Sequence, residues 1–160
     1  LDDETKKSGP TFIKSFHSLF EKLGRSSAVP MQLLYLQLDS SKKRALVSNF
    51  GQIMPLVLRA QKTEVERIFP QPGEETERLQ EMTEAEIFLS PGDTIVMFSD
   101  GLVNAADSRG EVFGIDGVEK TVIASSRAGP EDICEKILTA CSSWGILQDD
   151  ATCVVIVCTE

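Results

Sequence analysis

Pro91-Gly92-Asp93-Thr94-Ile95-Val96-Met97-Phe98-Ser99-Asp100-Gly101, residues 91–101, reads as a turn, a strand and a carboxylate delivered at the strand's end. Pro91-Gly92 reverses the chain. Thr94 to Phe98 is a short apolar, β-prone run of strand length. Asp100 then sits on backbone held by that strand, and Gly101 lets the chain bend sharply past a ligand. An aspartate in this place also simply opens a turn, so the segment gains meaning from what lies elsewhere in the chain.

A second carboxylate pair stands in Gln148-Asp149-Asp150-Ala151-Thr152, directly before the apolar closing run Thr152 to Cys158. Neighbouring side chains in extended backbone point to opposite sides, so one aspartate faces a shared site and the other caps the turn or meets solvent. If the two strands are neighbours, Asp100 and Asp149 come side by side. Like charges that close are unfavourable unless a cation or proton separates them. Oxygen-only ligands suit Mg2+ or Mn2+.

Outward from these two segments, the pattern changes from strands to helices. Phe12, Ile13, Phe16, Leu19, Phe20 and Leu23 have helical spacing and predict an amphipathic helix over 11–23, opened by Ser8-Gly9-Pro10 and stopped at Gly24. Leu33–Leu38 and Arg44–Asn49 read as strands joined by a hairpin turn at Asp39–Lys43. Runs at 56–59 and 64–69 continue with period two. The polar stretch Pro70–Glu84, with Glu74, Glu75, Glu77, Glu81 and Glu84, reads as a solvated acidic loop or short helix. Strands at 85–89 and 93–98 follow, then helices at 114–127 and from Pro130, the latter with an apolar stripe of Ile133, Ile137, Leu138, Cys141 and Trp144, and a final strand, Thr152 to Cys158, that reads as buried. Pro130 in the first turn with Glu131 and Asp132 marks a helix start. Six strands between helices predict an α+β layer arrangement with antiparallel pairing.

Composition narrows the function. The 160 residues are 41% hydrophobic and 26% charged, with net charge −9. That acidity excludes a surface for nucleic acid or anionic membrane, which needs clustered Lys and Arg; Lys42-Lys43-Arg44 is short and falls in a turn. No run approaches a membrane span, and the acidic start Leu1-Asp2-Asp3-Glu4 is unlike a signal peptide. Cys134, Cys141, Cys153 and Cys158 form no C-x-x-C pair. Cys134 and Cys141, on one face of a predicted helix, read as small buried apolar residues. A reducing, cytoplasmic setting is expected. His17, beside the apolar stripe of the first helix, reads as a flanking residue.

Residues 91–105 resemble the G-D-x-L-x-x-x-T-D-G-x-x-E-A signature of the SpoIIE-like bacterial phosphatases, a branch of the PP2C (PPM) superfamily, with Asn104 where glutamate is common. Ser108 to Gly114 is similar to that family's G-E-x-F-G turn, and Asp149-Asp150-Ala151-Thr152 to its closing D-D-x-T. Asn49 to Pro55 is similar to N-x-G-H-x-P, with Gln52 in the histidine position. The resemblance implies a single domain over 1–160, a PP2C-like β-sandwich of antiparallel sheets flanked by helices. It implies Asp100 and Asp149 as ligands of Mn2+ or Mg2+, with Gly101 and Asp150 in the supporting turns. It further implies hydrolysis of phosphoserine or phosphothreonine on a regulatory protein of the anti-sigma-factor-antagonist type, by water activated between two metals.

The family's early G-G-D strand and D-x-x-G-H-G segment have no counterpart here; Asp2-Asp3-Glu4 does not match them. The chain is therefore expected to be roughly the C-terminal two-thirds of the domain, with an incomplete metal site and sheet edges open to homodimerisation. The competing expectation is a catalytically incomplete module of the same fold that binds a regulatory partner.

Overall fold

A computed structural model describes residues 9–22, 33–50, 55–60, 62, 64–68, 71–72 and 82–159. In chain order the elements are α1 (Gly9–Lys22), β1 (Leu33–Asp39), β2 (Arg44–Phe50), β3 (Leu56–Leu58), β4 (Val65–Arg67), β5 (Gln71–Pro72) and β6 (Met82–Phe88). Then come β7 (Thr94–Phe98), the single-turn α2 (Asp100–Val103), α3 (Gly114–Ala124), α4 (Pro130–Trp144) and β8 (Cys153–Val157). All strand pairs are antiparallel. The chain divides into two compact units, Leu1–Ile53 with Phe69–Phe88, and Met54–Ile68 with Leu89–Glu160.

The first unit is a sheet of order β1-β2-β6-β5 with α1 against it. The expected hairpin forms: Asp39 caps a 3-10 turn at Ser40–Lys42, and Lys43 adopts the left-handed conformation (φ 48°). Arg44 in the turn's basic triplet lies 3.7 Å from Asp39 and also pairs with Glu86. The strand expected at 85–89 begins earlier, at Met82. Glu84 and Glu86 are exposed while Ala85 and Ile87 are more buried, so the alternation of a half-buried strand runs through a glutamate assigned to a loop. Glu84 accepts a hydrogen bond from Ser48, its partner in register (3.1 Å).

The apolar stripe of α1 is covered only in part. Ile13 is fully buried with Phe50, Leu33 and Tyr35 packed nearby, whereas Phe12, Phe16 and Leu19 are exposed. The ring of Phe12 lies 5.1 Å from that of Tyr35. The side chains of His17 and Phe20, Gly24, Gly51–Met54, Glu74, Glu75, Glu77 and Glu81, and Asp2-Asp3-Glu4 lie outside the described residues.

The second unit is a sheet of order β4-β3-β7-β8 with α2, α3 and α4. β7 is internal, paired with β3 through Leu56↔Val96 and with β8 through Phe98↔Cys153. Ile95 and Val96 point to opposite faces and both are buried, which is why this strand reads as continuously apolar. Leu56, Val96, Leu102, Val118, Val122, Ile133, Ile137 and Cys141 form the core. Each large aliphatic side chain buried there stabilises the unit by about 1.5–3 kcal/mol in transfer free energy. Arg67 ties β4 to α3 through Asp116 and Glu119 (2.7 and 2.5 Å).

Three sequence expectations change here. α3 ends at Ala124, short of Arg127. Leu138 and Trp144, counted into the apolar stripe of α4, are exposed, because the core is filled by Ile133, Ile137 and Cys141. β8, expected to be buried, has an exposed Val154 and half-buried neighbours, because β7 is its sole strand partner among the described residues. Cys134 is half-buried and Cys141 fully buried.

Candidate active site

Asp100 leaves the C-terminal end of β7 and begins α2; Asp149 and Asp150 lie in the loop entering β8. These strands are neighbours, so two loops about fifty residues apart in sequence meet at one end of the sheet. Ser99 joins them. Its N–H donates to the Thr152 carbonyl (3.0 Å), its hydroxyl donates to the Asp150 carbonyl (3.1 Å), and the hydroxyl accepts from the Thr152 N–H (2.9 Å). Ser99 stands at the N-cap of α2 but makes no side-chain cap; the hydroxyl that would ordinarily cap a helix is spent on the opposite loop.

Gly101 brings the two segments closer still. A Cβ added there would lie 2.3 Å from the Asp150 carbonyl oxygen and 3.1 Å from that of Asp149. Its φ is not in the left-handed region, so close approach is what demands glycine, in place of the sharp bend expected from sequence. Both obstacles are backbone. Gly101→Ala is therefore expected to push the 149–150 loop outward and lower turnover about 100-fold, the scale of a 1 Å misplacement, checked by steady-state kinetics alongside circular dichroism.

The site is supported from below and behind. Cys141 donates to the Leu102 carbonyl (3.2 Å) and Cys134 to the Cys153 carbonyl (3.5 Å), so α4 is anchored to both loops' elements. Burial, with the Cys134 thiol beside it, pushes the Cys153 thiol up to about 12; burial also raises Cys141. At the far end of β7, the buried Asp93 accepts from the N–H groups of Ala60 (2.9 Å) and Ser90 (3.0 Å) and from Arg59 (2.9 Å). Burial pushes this carboxyl upward, but those three donors outweigh it and hold it below the usual carboxylate range. Gly92, with φ +88°, donates to the Cys158 carbonyl (2.6 Å). Asp107 braces the turn after α2 by accepting from the Arg109 and Glu111 N–H groups (2.8 and 2.9 Å). The Glu111 donor first, with the others against desolvation, lowers its pKa.

Sequence reasoning singled out Asp100, Gly101, Asp149 and Asp150, and the structure sets their peptide segments against one another. It passed over Ser99, whose hydroxyl makes the tie, and Asp93, read only as part of a motif. Asp149 itself accepts from the Asp150 N–H (2.7 Å). A donor set of carboxylate oxygens fits Mg2+ or Mn2+ in kind. Among the described residues, however, no group of three or more His, Cys, Asp or Glu is arranged to hold an ion. The chemistry of those oxygens suits such an ion, and the described residues do not close a site for one.

A family model described as Stage II sporulation protein E (SpoIIE) matches residues 4–159. A comparison with curated protein sequences gives no match. Among solved structures, the manganese-presoaked phosphatase domain of the cell-fate determinant SpoIIE from Bacillus subtilis superposes with a TM-score of 0.69 at 18% identity, over 98% of this chain and 69% of that one. The RsbU and RsbW domains of Rv1364c from Mycobacterium tuberculosis give 0.79 at 15% identity, over 96% of this chain and 43% of that one. The PPM Ser-Thr phosphatase MsPP from Mycobacterium smegmatis, in complex with cacodylate, gives 0.62 at 18% identity, over 97% and 75%. The chain thus spans 69% and 75% of two of these relatives and less than half of the Mycobacterium tuberculosis chain. At such identities the likeness is one of fold: α+β, antiparallel sheets with flanking helices, as in phosphatases of the PP2C type.

Proposed function

The chain belongs to the SpoIIE family, and on that premise we propose that it forms part of a metal-dependent protein serine/threonine phosphatase domain. Its two units are parts of one such domain, a reading supported by a family match that spans both. The substrate is phosphoserine or phosphothreonine on a regulatory protein of the anti-sigma-factor-antagonist type. Asp100 and Asp149 are the carboxylates that this chain offers to Mn2+ or Mg2+. When bound, such ions supply a water of lowered pKa for hydrolysis at phosphorus. Ser99 and Gly101 hold the two loops in register, and Asp150 contributes its carbonyl to that joint. The observation that carries the reading is this approach of Gly101 to the 149–150 peptide, between adjacent strands.

The net charge of −9 speaks against a nucleic-acid role. No helix among the described residues is long and apolar enough to cross a membrane. The four free cysteines support a cytoplasmic setting.

The test is phosphate release from a phosphoserine peptide by the full-length protein with and without Mn2+, paired with Mn2+ binding followed by electron paramagnetic resonance. Saturable binding and metal-dependent turnover are expected; absence of both would sink the reading. The rival reading is a catalytically incomplete module of this fold that grips a regulatory partner. Stoichiometric partner binding without metal-dependent turnover would select it.

A further inference from the structure

A cavity of about 610 Å³ opens between α4 and the loop that carries Asp149 and Asp150. That volume is in the range of ligand-binding clefts. We propose that it is a recognition subsite for the phosphoprotein, taking an aliphatic side chain next to the phosphorylated residue, with a Lys or Arg of the same segment against Asp150. The proposal rests on the phosphatase reading, since it names how that site selects its substrate.

The wall chemistry defines the occupant. Leu138 and Leu147 line the cavity and remain 38% and 43% exposed, while Ile133, Ile137 and Cys141 on the same helix are buried. Two leucines left in water at the rim of a cleft are apolar surface awaiting a partner. Thr139, Ser142 and Gln148 add hydroxyl and amide groups to the lining. Ser142 donates its own hydroxyl back to the Thr139 carbonyl (3.1 Å), which leaves its oxygen to accept from a peptide N–H.

Charge settles which part of a phosphopeptide enters. The lining includes Asp149 and Asp150, and among the described residues no Lys, Arg or His. Away from the ion that Asp149 is proposed to hold, a phosphate dianion would meet the Asp150 carboxylate without a countercharge; a cationic side chain would be drawn in. The cavity is also continuous with the candidate site, because its lining includes the 149–150 peptide that Gly101 touches. A side chain seated in it therefore lies in the same segment as a phosphoresidue presented to Asp100 and Asp149.

The test uses the full-length protein with Mn2+ and two phosphoserine peptides, one flanked by leucine and arginine, the other by glycine and glutamate. The expected result is a preference of about tenfold or more in kcat/KM for the first, carried mainly by KM. Leu138→Ser and Leu147→Ser are each expected to bring that ratio toward one. Fluorescence polarisation of a labelled peptide provides a second readout. The unphosphorylated leucine–arginine peptide should bind saturably, and less tightly to Leu138→Ser. Equal KM values for both peptides, or a ratio that Leu138→Ser leaves intact, would overturn the subsite. So would concentration-dependent self-association abolished by Leu138→Ser, which would mean that a second copy fills the cleft. Turnover of p-nitrophenyl phosphate without peptide preference sinks the subsite alone. Saturable peptide binding without any turnover keeps the subsite and sinks the phosphatase reading.

Discussion

Asp100→Asn is expected to lower manganese-dependent turnover of a phosphoserine peptide by about 10³-fold, roughly 4 kcal/mol of transition-state stabilisation. The substitution is nearly isosteric and removes the negative charge proposed to hold the ion. Asp100 begins α2 straight after β7, so its position is set by five paired strand residues and by the Ser99 tie, none of which involves its carboxylate. The variant should therefore fold as the wild type does, with an unchanged thermal midpoint. Mn2+ affinity should fall together with activity, because an ion of this class needs well-placed anionic oxygens. Turnover that survives the change would remove Asp100 from the site, and a loss accompanied by unfolding would make the residue structural.

The second large effect concerns stability. Asp93→Ala is expected to destabilise the second unit by about 3 kcal/mol, since it strands two backbone N–H groups and takes a partner from Arg59. For a chain of this size that corresponds to roughly 6–12 °C in the thermal midpoint. The carboxyl of Asp93 is held below its ordinary value in the folded protein. Its contribution is thus fully present above the unfolded pKa of about 3.9. It is lost as pH falls through the lower, folded value. The difference between wild type and variant should be flat from pH 5 to 8 and shrink below pH 4, as followed by urea denaturation at each pH. A difference that stayed constant into acid would show that the charge of Asp93 is not what holds the turn.

The two expectations differ in how far the sequence could reach. Asp100 was visible because a carboxylate at the end of an apolar strand, followed by glycine, is a local pattern. The role of Asp93 was not, since two of its three donors lie on Ala60 and Arg59, more than thirty residues earlier. Ser99 was hidden for the same reason: its hydroxyl partners are at Asp150 and Thr152. A single-turn helix such as α2 is too short to leave a periodic signature.

What the amino-acid sequence determined by itself was whatever short-range chemistry decides. Helical spacing and Pro130 place α4, turn residues place the hairpin after β1, and β-prone apolar runs place β7 and β8. Four ordered motifs also place the chain among phosphatase relatives. Tertiary structure alone decided which surfaces are covered and which loops touch. It left Phe12, Phe16, Leu138 and Trp144 exposed although their spacing is that of buried residues. It turned Glu84 into a strand residue because Ser48 stands opposite. It also made Gly101 a point of contact between loops, where its own sequence reads only as a bend. Periodicity shows that a face is apolar; what packs against that face depends on residues far along the chain.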